Sequence, residues 1–317
     1  MNYFPSHLQI EVVAGICSAD CIMCTIKEVS RKGVLSLEKY STILDRFVEH
    51  VDKLKFLTLH GMGEPLLDKT LPEKIALARD KGFPGIGFAT NATHLSTKVA
   101  ARLLESGLNT IIFSIDGIKK ETHEKIRKVN YDTVLRNVLN FVDLRNSQGK
   151  TKIIMRMIRQ EENNNEWDEY QAFWLSHLNK QFGDQVSFFD VHNWGVRAES
   201  REQRAESREQ RAESREQRAE SREQRLHDLS RKTQIVCPDL LERMIVFLDG
   251  SVALCCGDEK AVHNLGNIFH DDPVSIYNCS IFTEYRRLMS EGRLDEIDYC
   301  KNCQVILSRM EKQYLDV

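Results

Sequence analysis

The sequence lacks the features that would assign it to a membrane, secreted or nucleic-acid-binding class. No apolar run in its 317 residues approaches the roughly 18 that a membrane-spanning helix needs. The N-terminal residues MNYFPSHLQIEVV have neither the basic flank nor the small-residue cleavage site of a signal peptide. A net charge of −3 provides no positive surplus for nucleic acid or an anionic membrane. We therefore expect a cytoplasmic protein with neither nucleic acid nor membrane as a partner.

The distribution of cysteine does not suit a disulfide framework. Three of the nine cysteines lie within the stretch CSADCIMC, from Cys17 to Cys24, and the other six lie beyond residue 236. An odd, uneven set in a cytosolic chain indicates metal binding or catalysis rather than disulfides.

Apolar, β-branched runs alternate with helix-patterned segments through the first 192 residues. Ser36 stands at the N-cap position of the helical pattern LEKYSTILDRFVEH. Strands that alternate with helices form parallel βαβ units with right-handed crossovers, so an α/β fold is predicted. The six predicted strands are HLQIEVVAGI, KFLTLHG, GIGFATN, TIIFSIDG, KIIMRMI and VSFFDVHN.

Five segments that are rich in polar and glycine residues follow these predicted strands. They are CSADCIMC, HGMGEP, TNAT, SIDG and HNWG. In parallel α/β sheets and barrels, binding and catalytic groups collect at the carboxyl ends of the strands. The sequence therefore predicts one site built from these segments.

The three cysteines of CSADCIMC are one ligand short of a tetrahedral metal site. A structural zinc takes four protein ligands, and a catalytic zinc bound by three cysteines usually brings a histidine. The spacing Cys-x3-Cys-x2-Cys instead suits a cubane 4Fe–4S cluster, in which Cys17, Cys21 and Cys24 hold three irons. The fourth iron then stays exposed and is free to bind a small chelating molecule.

The same motif resembles the CxxxCxxC signature of the radical S-adenosylmethionine (SAM) superfamily. The resemblance implies a partial (β/α)6 parallel barrel and chelation of the unique iron by the amino and carboxylate groups of SAM. It also implies reductive cleavage of SAM to methionine and a 5′-deoxyadenosyl radical, which abstracts a hydrogen atom from substrate. A flavodoxin- or ferredoxin-type reductant would supply the electron.

Three further motifs resemble those that contact SAM in this superfamily. HGMGEP resembles the GGE-type motif, whose glycines let the backbone approach the methionine moiety of SAM, although an ordinary strand–helix turn is the alternative. TNAT matches the common TNG except that Ala92 replaces the glycine, and SIDG resembles the motif on the fourth strand. The resemblance assigns cofactor binding to Gly61, Gly63, Glu64, Asn91 and Ser114.

Arg156 lies in the middle of KIIMRMI, where a buried parallel strand would carry only apolar residues. A buried charge must be paired. The carboxylate of SAM is one predicted partner, which makes Arg156 a cofactor-binding residue, and an inward salt bridge is the alternative.

Four of the later cysteines form a complete ligand set. The run ERMIVFLDGSVALCC predicts a β-hairpin around Asp249-Gly250. The spacing Cys-x12-Gly-x4-Cys resembles the first half of the SPASM domain, and the later CxxCx5Cx3C of that domain is absent after Cys303. The resemblance implies the shortened, twitch-type domain with one auxiliary 4Fe–4S cluster, for which structural zinc is the alternative. The predicted ligands are Cys237, Cys255, Cys300 and Cys303.

Two cysteines are left over. Neighbouring residues on a strand point to opposite faces, so Cys256 should point away from the site if Cys255 is a ligand, unless the two exchange roles. Cys279 lies inside a helical pattern and is interpreted as a small buried hydrophobe.

Three other residues are candidates for contact with substrate. Asp258 is placed to take a substrate proton and is the candidate catalytic residue, with a solvated loop aspartate as the alternative. His192 and Trp194, in HNWG, are expected to line the substrate space or to pack in the core.

These patterns predict a radical SAM oxidoreductase with a barrel in residues 1–196 and a small α+β twitch-type domain in residues 227–317. The first hypothesis is a two-electron oxidation of a small polar metabolite, such as an aminocyclitol or a sugar, with the auxiliary cluster accepting an electron. The second is crosslinking or epimerisation of a ribosomally made peptide. A non-catalytic iron–sulfur electron carrier is the alternative from another class, and it would have no use for HGMGEP or an open iron.

Residues 198–225 are four copies of AESREQR within a predicted linker, 197–226. Alanine is the only apolar residue of each copy, so a coiled coil would have no apolar seam. Like charges recur at spacings of three and four, which weakens a helix that the residue propensities favour. We interpret the repeat as a charged, solvated linker or extended helix between the two domains.

Deleting residues 198–225 should leave cluster content and SAM cleavage nearly intact. The repeat has no Leu, Ile, Val or aromatic residue with which to contribute to a core, and halving a flexible connection changes its closure entropy by only roughly 0.6 kcal/mol. Iron analysis and a 5′-deoxyadenosine assay measure the two quantities. A deletion variant with full clusters and no cleavage would contradict this interpretation.

Overall fold

The computed structural model describes residues 3–190, 236–301, 303, 305 and 306. The AESREQR repeat, His192 and Trp194 lie outside the described residues. In the part of the chain that is described, no helix combines the length and apolarity needed to cross a membrane.

A single eight-stranded sheet organises the described residues, with the strand order β10-β9-β1-β4-β5-β6-β7-β8. Strands β2 and β3 form a separate antiparallel pair beside it. The strands are β1 (His7–Ile10), β2 (Val13–Ala14), β3 (Gly33–Val34), β4 (Phe56–Thr58), β5 (Ile86–Thr90), β6 (Thr110–Ser114), β7 (Lys152–Arg159), β8 (Gln185–Asp190), β9 (Arg243–Val246) and β10 (Val252–Ala253).

Helices connect the strands as the sequence pattern predicts. The predicted N-cap is confirmed, because the side chain of Ser36 accepts a hydrogen bond from the Lys39 N–H at 3.2 Å. The helices are α1 (Leu37–Asp45), α2 (Leu71–Asp80), α3 (Thr97–Glu105), α4 (Lys120–Arg127), α5 (Tyr131–Gln148), α6 (Trp167–His177), α7 (Pro238–Glu242), α8 (Pro273–Tyr277) and α9 (Ser280–Ser290).

The six predicted strands are confirmed as β1, β4, β5, β6, β7 and β8, which pair in parallel from β1 to β8. The first is shorter than its apolar run, because HLQIEVVAGI divides into β1 and β2 on either side of the buried Glu11. The carboxyl ends of all six strands therefore lie along one edge, as parallel pairing requires.

Strand β7 alternates between two environments. Ile153, Met155 and Met157 are buried in the core, whereas Ile154 and Arg156 are half-buried on the opposite face. The strand therefore packs one face against the core and carries Arg156 on the other face. A sheet that curves into a partial barrel has an inner face that is open to ligands, and Arg156 lies on that face.

The predicted hairpin around Asp249-Gly250 is confirmed and extends the main sheet. Strand β9 pairs in parallel with β1, and β10 pairs with β9 in antiparallel. Gly250 adopts a φ of +86°, and a Cβ there would lie 2.3 Å from the ring of Phe269, so the turn needs glycine. The hairpin therefore connects the segment of the later cysteines directly to the strand that precedes CSADCIMC.

Candidate active site

The loop that carries the cysteine triad follows β1 and β2 and is anchored to the end of α4. The backbone N–H of Asp20 donates to the Arg127 carbonyl at 3.3 Å, and that of Ile22 donates to the Ile126 carbonyl at 3.0 Å. The next residue, Lys128, ends the helix in the left-handed conformation. The thiols of Cys17 and Cys24 are exposed and that of Cys21 is half-buried.

Asn91, at the end of β5, reaches the same loop. Its Nδ2 donates to Cys17 Sγ at 3.5 Å and to Ser18 Oγ at 3.1 Å. In the turn that follows, Ala92 adopts a φ of +60°, in the left-handed region that favours glycine, although it carries a side chain. The structure therefore brings TNAT to the triad, and the role of Asn91 in cofactor binding stays a prediction.

Glu64 is buried and uses both carboxylate oxygens within the protein. Oε1 accepts hydrogen bonds from Thr90 Oγ1 at 2.6 Å and from the Leu66 N–H at 3.0 Å, and Oε2 accepts one from the Asn91 N–H at 2.9 Å. Burial raises the pKa of Glu64, and the hydrogen bonds oppose that rise. The carboxylate thus joins the ends of β4 and β5 and orients Asn91 beside the triad.

The glycines of HGMGEP are required by the strand beneath them. A Cβ at Gly61 would lie 2.5 Å from Cγ of Glu11, and a Cβ at Gly63 would lie 2.4 Å from the carbonyl oxygen of Val13. Close packing against Glu11 and β2 thus requires glycine at both positions, and the predicted contact of these glycines with SAM stays a prediction.

Glu11 is a buried residue beside the site that sequence reasoning missed. It is fully buried, and its carboxylate accepts hydrogen bonds from Arg31 Nη2 at 2.9 Å, the Met62 N–H at 3.0 Å and the Leu248 N–H at 3.3 Å. Arg31 also donates to the Glu259 carbonyl. The signal was a single carboxylate within the apolar run HLQIEVVAGI, where a charge must find partners.

Ser114 and Arg156 lie side by side on the inner face of the sheet. They are register partners on β6 and β7, and the Arg156 guanidinium lies 5.0 Å from the centre of the Phe189 ring. Burial and then the charges of Arg243 and Arg127 lower the pKa of Arg156 to about 10.

The predicted alternative for Arg156, an inward salt bridge, is absent from the described residues. Its buried Nε has no hydrogen-bond partner there. A buried donor without a partner is costly, so this atom fits a carboxylate supplied by a ligand. The unpartnered Nε of Arg156 thus fits the carboxylate of SAM, the cofactor that the resemblance implies.

The four later cysteines lie near one another. Burial raises the pKa of Cys300, and the charges of Cys303 and Cys237 add to that rise. Burial likewise raises the pKa of Cys255, with smaller contributions from neighbours that include Cys300. Within the described residues, no three Cys, His, Asp or Glu side chains surround the position of one metal ion. Each thiolate of a cubane binds a different iron, so its cysteines surround a cluster rather than an ion.

The two leftover cysteines occupy different positions. Strand β10 ends at Ala253, so the expected alternation of Cys255 and Cys256 on a strand is wrong; Cys256 is exposed, and its N–H donates to Asp239 Oδ2 at 3.2 Å. Cys279 is half-buried against the core, at the N-cap position of α9.

Asp258 is held inside its own loop. Its Oδ2 accepts from the Leu254 N–H at 3.1 Å, its Oδ1 accepts from the Val262 N–H at 3.0 Å, and His263 Nδ1 lies 3.5 Å from Oδ2. Burial raises its pKa, but these hydrogen bonds outweigh burial and lower the pKa below its usual value. A buried carboxylate with a low pKa is a poor base, so this geometry favours a structural role over the predicted catalytic one.

Two parts of the sequence match known families. Residues 12–172 match the radical SAM superfamily, and residues 237–304 match SPASM, an iron–sulfur cluster-binding domain. The first match covers half of the chain, so this protein belongs to the radical SAM superfamily. Its cofactors are accordingly a 4Fe–4S cluster with SAM and an auxiliary iron–sulfur cluster.

The relatives are diverse in activity. The Fe-coproporphyrin III synthase of Methanosarcina barkeri is 33% identical over 128 residues, which cover 39% of this chain and 31% of that protein. The GTP 3′,8-cyclase of Desulforamulus reducens is 26% identical over 147 residues, which cover 44% and 43%. The chain thus spans less than half the length of either relative.

Solved structures share the fold at low identity. BtrN in complex with AdoMet and 2-DOIA has a TM-score of 0.61 and 17% identity, with 96% of this chain and 94% of BtrN covered. Streptococcus suis SuiB bound to precursor peptide SuiA has a TM-score of 0.64 and 12% identity, with 94% and 71% covered. The open, mainly parallel sheet confirms the predicted partial barrel.

Replacing Glu11 by Gln should destabilise the protein by about 3 kcal/mol, because Arg31 would keep a buried charge without its partner. The matched control is Asp20→Asn, which removes the exposed ion pair of Asp20 with Lys27 and should cost at most about 1 kcal/mol. Thermal unfolding of the two purified variants measures the difference. Equal unfolding temperatures would show that the buried pair contributes nothing beyond an exposed one.

Proposed function

We propose that this protein is a radical SAM oxidoreductase that removes two electrons from a small polar metabolite, such as an aminocyclitol or a sugar. The observation that carries the proposal is the shared sheet. Strand β1, which leads to the triad, pairs directly with β9, which lies between Cys237 and the antiparallel strand β10 that leads to Cys255. Two groups of cysteines connected to one sheet suit a reaction in which one cluster starts the chemistry and the other receives an electron.

Each group of residues has a proposed task. Cys17, Cys21 and Cys24 hold the cluster whose open iron binds SAM, and Ser114 and Arg156 bind the carboxylate of SAM. When bound, cluster and SAM supply the radical that abstracts a hydrogen atom from substrate. Cys237, Cys255, Cys300 and Cys303 would hold the auxiliary cluster, which when bound would supply an acceptor for the second electron of the oxidation. A flavodoxin- or ferredoxin-type protein supplies the first electron.

The likeness to BtrN supports a small substrate, because the two chains cover each other almost completely and BtrN was solved with 2-DOIA. A second candidate is modification of a ribosomally made peptide, which the likeness to SuiB bound to its precursor peptide SuiA favours. A short peptide gene beside this gene would support the second candidate, and sugar-processing genes would support the first. A non-catalytic electron carrier would not cleave SAM at all.

Anaerobically reconstituted protein with dithionite should convert SAM to methionine and 5′-deoxyadenosine. Cys17→Ala, Cys21→Ala and Cys24→Ala should each abolish the reaction, because two thiolates do not hold a cubane firmly. Cys279→Ala is the matched control, since this half-buried thiol belongs to neither cysteine group, and it should keep the activity. Full turnover by a variant that lacks all three triad cysteines would refute the assignment.

The iron content should be about eight per chain in the wild type and about four in the variant Cys17→Ala/Cys21→Ala/Cys24→Ala, with one cubane at each site. Iron and zinc are measured together by mass spectrometry after anaerobic reconstitution. A triple variant that holds zinc and no iron would show that the later cysteines form a structural zinc site. The auxiliary cluster would then be excluded as the electron acceptor.

A further inference from the structure

Arg127 lies between a buried carboxylate and a cysteine of the triad. Its Nε donates to Asp116 Oδ2 at 2.5 Å, and its Nη1 donates to Cys21 Sγ at 3.7 Å. The Asp116 side chain is fully buried and the Arg127 side chain is 11% exposed. Neither residue is explained by the proposed function, although Asp116 belongs to the SIDG motif.

The position of the guanidinium is determined from several directions. Asp116 Oδ1 accepts a hydrogen bond from the Ile158 N–H at 2.7 Å, so the carboxylate is attached to β7. The Asp116 N–H donates to Nδ1 of His123, in α4, at 3.3 Å. The backbone carbonyl of Arg127 accepts from the Asp20 N–H within the triad loop. The guanidinium and the cysteine are thus held together by both side-chain and backbone contacts.

The charge of Arg127 is permanent and acts on the cysteine sulfur. An arginine guanidinium keeps its proton in proteins, so Arg127 carries its charge whatever its surroundings. Burial and the charge of Arg127 lower the pKa of His123 to about 3, so this imidazole stays neutral. The group that donates to the sulfur of Cys21 is therefore a cation.

The geometry points to Arg127 as a positioning residue that raises the reduction potential of the triad cluster, by donating an N–H to the ligand sulfur of Cys21. The inference rests on the proposed ligation of that cluster by Cys21. Reduction transfers one electron from the low-potential reductant to the cluster, and Arg127 neither gains nor loses a proton. The cluster becomes more negative by one charge, which a fixed cation beside a ligand sulfur stabilises. Asp116 acts through Arg127, because its carboxylate holds the guanidinium in place.

The test measures the midpoint potential of the triad cluster in the holoprotein by redox titration followed by electron paramagnetic resonance. The signal of the auxiliary cluster is removed by subtracting the spectrum of Cys17→Ala/Cys21→Ala/Cys24→Ala. Arg127→Gln should lower the equilibrium constant for reduction about tenfold, which is a shift of about 59 mV for one electron. Arg127→Lys keeps the charge and should keep most of the potential.

Two further variants separate electrostatics from folding. Arg127→Gln leaves Asp116 buried without a partner, so Asp116→Asn/Arg127→Gln is titrated beside it and should show the same lowered potential. Arg102→Gln is the matched control, because it removes a cation that is paired with Glu73 at the surface, and it should leave the potential unchanged.

The possible results are distinct. An unchanged midpoint potential in Arg127→Gln or in the double variant, at equal cluster content, would overturn this inference. The proposed function would not be affected. Loss of the triad cluster from the double variant would also overturn it, since Arg127 would then retain the cluster rather than tune it. A triple cysteine variant with the wild-type spectrum would overturn the ligand assignment and, with it, this inference.

Discussion

The buried ion pair of Glu11 and Arg31 is the interaction on which the rest of the site depends. A carboxylate without solvent is stable only if every nearby donor points at it, so each partner of Glu11 is held at a fixed position. Those partners come from the loop after the triad, from HGMGEP through Met62, and from the β9–β10 hairpin through Leu248. The Arg31 guanidinium also stacks 3.5 Å from the centre of the Phe247 ring. One carboxylate thus holds together three segments that are far apart in sequence.

The pairing of β1 with β9 connects the two groups of cysteines through one sheet. Strand β1 has β4 on one side and β9 on the other, so the residues that follow these strands are placed by backbone hydrogen bonds. Such bonds allow little change in register, because a slip of one residue would turn Glu11 away from Arg31. The relative positions of the segments that lead to Cys17 and to Cys255 are therefore set by the sheet.

Two arginines near the site, Arg127 and Arg156, differ in their partners. Arg127 has its carboxylate within the protein, so its charge is committed to Asp116 and to the sulfur of Cys21. Arg156 lies over Phe189, and its buried Nε has no partner among the described residues. A buried guanidinium N–H without a partner favours a ligand that brings a negative group. Under the assignments proposed above, one arginine acts on the cluster and the other binds the cofactor.

The sequence alone determined the six parallel strands, the Ser36 cap, the hairpin at Asp249-Gly250 and the family, because periodicity, caps, turns and cysteine spacing are local patterns. Only the tertiary structure decided that β9 joins β1, that Glu11 is the shared acceptor, and that a Cβ at Gly61 or Gly63 would collide with Glu11 or Val13. It also placed Asp258 inside its own hydrogen-bonded loop and Arg127 beside Cys21. These are contacts between residues distant in the chain or set by loop geometry, and no local pattern encodes which buried charge will meet which donor.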